Sequence, residues 1–98
     1  MTAEELEQEF APRGLKRGNL LLFAPDDAAA LIRRARTEGV RVLGIEGFRV
    51  GGTETVPETD HLADYSTGAA ATEDCWAAAE RFLDARRGSG LAFEVILQ

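Results

Sequence analysis

A single cysteine, Cys75, leaves no partner for a disulfide within the chain and fits a reducing compartment such as the cytoplasm. No apolar run approaches the roughly 18 to 20 residues that a membrane-spanning helix needs. Residues Met1 to Phe10 are acidic and lack a basic stretch leading into an apolar one, so no secretory signal is expected there. Lysine and arginine are missing from the whole of Gly51 to Glu80, which holds seven acids: Glu54, Glu58, Asp60, Asp64, Glu73, Asp74 and Glu80. That stretch alone accounts for the net charge of −6, because charges elsewhere roughly cancel. Affinity for nucleic acid comes largely from neutralising phosphates with Lys and Arg, so a nucleic-acid partner is disfavoured. An acidic surface suits a basic protein instead.

What is present reads as one α+β domain spanning residues 1 to 98. The apolar fraction of 45 % and charged fraction of 29 % are those of a folded globular protein. Thr2 and Glu5 have the spacing of a capping box, and Leu6 and Phe10 give the following short helix a narrow apolar stripe that lies on the domain rather than in its core. Leu20 to Phe23 is a short apolar run suited to a strand buried on both faces. Pro25, the acids Asp26 and Asp27, the helical spacing of Ala28, Leu31, Ile32 and Ala35, and Gly39 as a left-handed cap predict a helix over residues 25 to 38. A strand is expected from Val40 to about Val50, bent near Gly44 or Gly47, with a turn at Gly51-Gly52 where both glycines can take positive φ. A third strand is placed within His61 to Ser66, after a loop containing Pro57. Thr72 is the expected N-cap of a second helix, with Glu73 and Asp74 in its first turn and its end near Arg87. Leu91, Phe93, Val95 and Leu97 alternate with Ala92, Glu94 and Ile96 in a final strand. The order strand–helix–strand–strand–helix–strand suits a mainly antiparallel sheet with two helices on one face, the ferredoxin-like arrangement, preceded by a short helix; a three-stranded parallel sheet is the alternative if the third strand is only loop.

Candidate chemistry is sparse. Cys75 and His61 form the one thiol–imidazole pair available, with Asp60 or Asp64 to orient the ring, but a buried cysteine beside Trp76 is the reading the residues favour. Glu58, Asp60, His61 and Asp64 could ligate a cation, yet the EF-hand pattern is absent and no second His or Cys stands at zinc spacing. The glycines at 44, 47, 51 and 52 form neither a Walker nor a dinucleotide fingerprint. Arg33, Arg34, Arg36 and Arg41 read as a solvated helix surface. Glu46, flanked by Ile45 and Phe48, is expected either against a basic group such as Arg49 or Arg81 or in a turn. No cofactor and no metal is implied.

The closing pattern Cys75-Trp76 … Phe82-Leu83 … Gly90-Leu91 … Phe93-Glu94-Val95-Ile96-Leu97 resembles the final helix and strand of barstar-type inhibitors, and the small acidic chain resembles bacterial immunity proteins that neutralise a cognate toxin. The order of elements departs from barstar, which has several helices between its first two strands. The resemblance implies a mode of action, an acidic face covering a basic active site, often that of a nuclease. The residues expected to meet such a partner are Glu54, Glu58, Asp60 and Asp64, which would steer and pair with its Lys and Arg, and Tyr65, which would supply apolar anchoring. Two other readings stand beside this one: a small hydrolase using His61 with Asp60, Asp64, Cys75 or a metal, and a small-ligand regulatory module that forms a homodimer.

Overall fold

The computed structural model describes residues 1–67 and 74–98. The nine residues Val42–Val50, among them the apolar Val42, Leu43, Ile45, Phe48 and Val50, form the central strand β3 of a three-stranded antiparallel sheet. One neighbour is β4 (Thr55–Asp64), reached through a short connection, and the other is β5 (Ala92–Leu97), which arrives from the far end of the chain. A second, two-stranded sheet pairs β1 (Leu15–Arg17) with β2 (Leu20–Leu22). Gly18 takes φ 58° in the tight turn between them, a conformation that costs an L-residue steric strain. The class is therefore α+β, with two antiparallel sheets and three α-helices among the described residues. A ferredoxin-like sheet holds four strands together, whereas here three strands form one sheet and the small hairpin joins it at a bridge. In that bridge Phe23 and Phe93 exchange N–H to carbonyl bonds of 2.8 Å each.

Helix α1 (Ala3–Phe10) opens with the expected capping box, Thr2 Oγ1 accepting from the Glu5 N–H while the Glu5 carboxylate accepts from the Thr2 N–H. Those bonds, the backbone one first, hold the Glu5 carboxyl below its ordinary range. Leu6 and Phe10 are buried in the main core, so α1 is part of the packing and does not merely rest on the domain. Helix α2 (Pro25–Glu38) starts on Pro25 and stops at Gly39, φ 71°, where the Val40 N–H reaches back 2.8 Å to the Ala35 carbonyl. Ala28, Leu31, Ile32 and Ala35 turn one stripe inward, and α3 (Cys75–Asp84) adds Cys75, Ala79 and Leu83. Phe93, Ile45 and Val95 meet these helices from the sheet, with Phe82 and Phe93 packed edge to face at 6.1 Å. Leu22 and Phe48 are buried outside this cluster.

Several expectations are corrected. The third strand does not begin at His61 but runs ten residues from Thr55, with Pro57 inside it. Among the described residues β4 has a strand neighbour, β3, on one side alone, and such an outer strand tolerates proline and charge. The connection before it is closed by the Gly51 N–H on the Glu54 carbonyl at 2.8 Å, and neither Gly51 nor Gly52 has positive φ. Leu20 and Leu21 are only half-buried, because β2 belongs to a hairpin and not to the centre of the main sheet. Asp74 caps α3, its carboxylate accepting from the N–H of Trp76 at 3.1 Å and of Ala77 at 3.0 Å. Thr72 and Glu73, expected in that role and in the first turn, lie outside the described residues.

Candidate functional site: the acidic hairpin and the open face of the sheet

Glu73 lies outside the described residues, and the other six acids do not form one surface. Two belong to α3 and are neutralised by α2, with Asp74 paired to Arg36 at 3.1 Å and Glu80 to Arg33 at 3.4 Å. The arginines expected to be merely solvated thus bind the helices to one another, although exposed pairs of this kind contribute only about 0–1 kcal/mol each. The acids left for a partner are those of the β3–β4 hairpin. Glu54 sits exposed in the connecting turn. Glu58 is half-buried opposite Gly47 and paired with Arg49, the basic residue of the preceding strand. Asp60 lies in an irregular stretch where the register jumps from Glu46↔Leu62 to Gly47↔Glu58, so that residues 59–61 have no partner on β3. Asp64 is exposed and accepts from the Ser66 hydroxyl and, at 2.8 Å, from the Ser66 N–H; these bonds, the hydroxyl first, hold its carboxyl below its ordinary range. Among the described residues, Glu54 and Asp60 make no ion pair.

Tyr65 is not on this surface. It is 8 % exposed, belongs to the main core, and its N–H donates to the Leu43 carbonyl at 2.8 Å. The strand end that exposes Asp64 turns the next side chain inward, which is what alternation requires. Tyr65 is therefore a core residue and not the exposed apolar anchor that the sequence suggests.

Cys75 and His61 are held apart. Cys75 opens α3 and is buried, as the favoured reading had it. His61 Nδ1 accepts from Arg86 Nε at 2.9 Å, just past the other end of the helix. The Arg86 guanidinium that holds the imidazole lies over Phe82, and at about 1.5 Å of rise per residue the helix from Cys75 to Phe82 is about 10 Å long, beyond thiol–imidazole contact. The guanidinium of Arg86 also stacks on Phe82, 3.7 Å from the ring centroid, and donates to the Phe82 carbonyl at 3.0 Å. His61 is thus a link between β4 and α3. Among the described residues no three His, Cys, Asp or Glu side chains come together as a metal site, and no helix is long and apolar enough to cross a membrane.

The register exposes a second surface that the sequence reading did not single out. On the face of the sheet away from α2 and α3, Asp64, Gly44 and Ile96 form one cross-strand row, and Leu62, Glu46 and Glu94 the next. Leu62 is 53 % exposed and Ile96 40 %. Glu46 meets neither Arg49 nor Arg81 and is not in a turn; it stands in mid-strand directly opposite Glu94. Burial pushes the Glu94 carboxyl up, and the charges of Glu46 and Glu7 push it further. Burial does the same to Glu7, with Glu4 adding to it and Lys16 opposing. The signal was present in the alternation of Gly44, Glu46, Phe48 and of Ala92, Glu94, Ile96, which marks one face per strand once the register is known.

Comparison with protein-family models gave no match, and comparison with curated proteins gave none. The class that the fold defines is a small α+β domain with an acidic hairpin at its edge.

Proposed function

We propose that this domain works by binding, as an immunity-type inhibitor that covers the active site of a basic partner such as a toxin or nuclease domain. The observation that carries the reading is the placement of Glu54, Asp60 and Asp64 on one exposed hairpin; among the described residues its outer strand has β3 as its one strand neighbour, and Glu54 and Asp60 make no ion pair. Side chains in that state lose no internal partner when they meet Lys or Arg of another protein. Their field would steer approach, raising the association rate most at low ionic strength. Glu58 would join by exchanging Arg49 for a cation of the partner. A Cys75–His61 hydrolase has less behind it, since the two side chains sit at opposite ends of α3.

The test is capture of partners from the host's lysate on the immobilised domain, washed at low and then high salt. A basic protein held stoichiometrically at low salt, whose own activity falls when the free domain is added, is the expected result. If no basic protein is retained, or if its activity is unchanged at saturating domain, the inhibitor reading is wrong.

A further inference from the structure

The exposed acids say how a basic partner approaches, but not what it seats on. Leu62 on β4 and Ile96 on β5, the strands that flank Gly44, line with it a shallow depression of about 290 Å³. Acids frame it: Asp64 in the same cross-strand row, and Glu46 and Glu94 in the next. Glu46 and Glu94 oppose each other directly, an arrangement that costs stability when the two charges face only each other. A cation placed between them would remove that cost; the chain's own Lys16 lies beside Glu7 in the hollow that Glu94 also lines, and it opposes the charges there only in part.

Three occupants compete for such a face. A second copy of the chain would meet it across a two-fold axis. Glu46, Glu94 and Asp64 would then face their own counterparts, which repels. A neutral apolar segment would leave the glutamates partly desolvated and unpaired. A segment that is apolar on one stripe and basic beside it satisfies both features. Three strands at about 4.8 Å spacing make a strip about 10 Å wide, close to the diameter of one α-helix with its side chains.

We propose that the open face of the sheet is the docking site for an amphipathic basic helix of the partner, with apolar side chains over Gly44 between Leu62 and Ile96 and Lys or Arg between Glu46 and Glu94. This rests on the inhibitor reading in assigning a basic protein partner. It goes beyond that reading in placing the contact on the sheet face rather than at the hairpin tip.

The experiment uses two probes of equal charge on the whole chain: a peptide of about fourteen residues with leucine and lysine at helical spacing, and an unpatterned lysine oligomer. Binding is followed by amide chemical shifts at low salt. The helical peptide should bind at least about tenfold more tightly, the step that one buried leucine-sized contact supplies. Its shifts should centre on Gly44, Glu46, Glu94 and Ile96, and the double variant Leu62→Thr, Ile96→Thr should reduce its affinity to that of the oligomer. Thermal melting checks that this variant is folded, and Ile96→Thr alone replaces it if it is not. Equal binding of both probes with shifts confined to residues 54–60, or full affinity in the variant, would overturn the sheet-face site while leaving the acidic hairpin as a binding surface. Self-association that moves the same four amides would overturn it in favour of a second copy. Failure of both probes to bind at low salt would overturn it together with the reading it rests on.

Discussion

Replacing Gly44 by alanine tests the β3–β4 register on which both proposed surfaces depend. A Cβ on Gly44 would stand 2.8 Å from the Ala63 carbonyl oxygen, a backbone atom of the neighbouring strand that cannot swing aside. An ordinary carbon–oxygen contact is longer by several tenths of an ångström, so β4 must shift outward at this row or β3 must twist. Overpacking of this kind costs about 1–3 kcal/mol. Against it, alanine restores about 0.5–1 kcal/mol by restricting the unfolded chain. The net expectation is a loss of about 1–2 kcal/mol, which for a domain of this size lowers Tm by about 5–15 °C. Gly52→Ala is the matched control, since a Cβ there meets nothing within 4 Å and the residue has no positive φ. Its melting temperature should be unchanged or slightly raised. Thermal melts monitored by far-UV circular dichroism give the melting temperatures, and urea melts followed by Trp76 fluorescence give the free-energy difference. If Gly44→Ala is as stable as the wild type, Ala63 is not where the register puts it, and the rows containing Leu62, Asp64 and Ile96 lose their basis.

Glu94→Gln should raise the melting temperature at neutral pH, and the gain should vanish in acid. The folded-state carboxyl of Glu94 lies above its unfolded value, so its contribution to stability is full below the unfolded pKa and is lost as pH rises through the folded one. A gain that persists unchanged to pH values below about 4 would show that charge at Glu94 is not the cause. Asp74→Ala should cost about 0.5–2 kcal/mol by uncapping α3, with the loss visible as faster amide exchange at Trp76 and Ala77. Trp76→Phe removes the bond from Nε1 to the Val40 carbonyl, 2.8 Å long, and should lower stability by about 1 kcal/mol in denaturant melts. Glu54→Gln with Asp60→Asn should slow association with a captured basic partner at low salt and flatten its salt dependence while leaving Tm unchanged, since neither side chain has an ion pair among the described residues to lose.

Where local rules agree with each other the chain could be read directly. Pro25, the helical spacing of Leu31, Ile32 and Ala35, and Gly39 all mark the same helix, and α2 has those limits. The alternation of Phe93 and Val95 with Glu94 and Ile96 likewise defined β5 and the side it buries. β4 was hidden because an outer strand carries proline and acids, the same composition as a loop, and only pairing with β3 distinguishes them. The β1–β2 hairpin was missed because three residues carry too little periodicity, although Gly18-Asn19 is a turn signal. The site was legible as charge but not as surface. Sequence counts the acids of residues 51 to 80, whereas Arg33, Arg36 and Arg49, all outside that stretch, decide which of them are neutralised. The Glu46–Glu94 pair needed the long-range register, since the two residues are almost half the chain apart.

The position of β5 has a consequence for how the sheet is assembled during synthesis. β3 and β4 are joined by a short turn and can pair as soon as both have been made, at little loop-closure cost. β3 has its other edge bare, and Phe23 has no strand to bridge, until β5 follows at the far side of α3. Until then the apolar residues Ile45 and Phe48 lack the strand that lies beside them in the finished sheet. A chain that lacks β5 would therefore carry an open edge on β3, an unbridged Phe23, and both proposed binding rows missing Glu94 and Ile96.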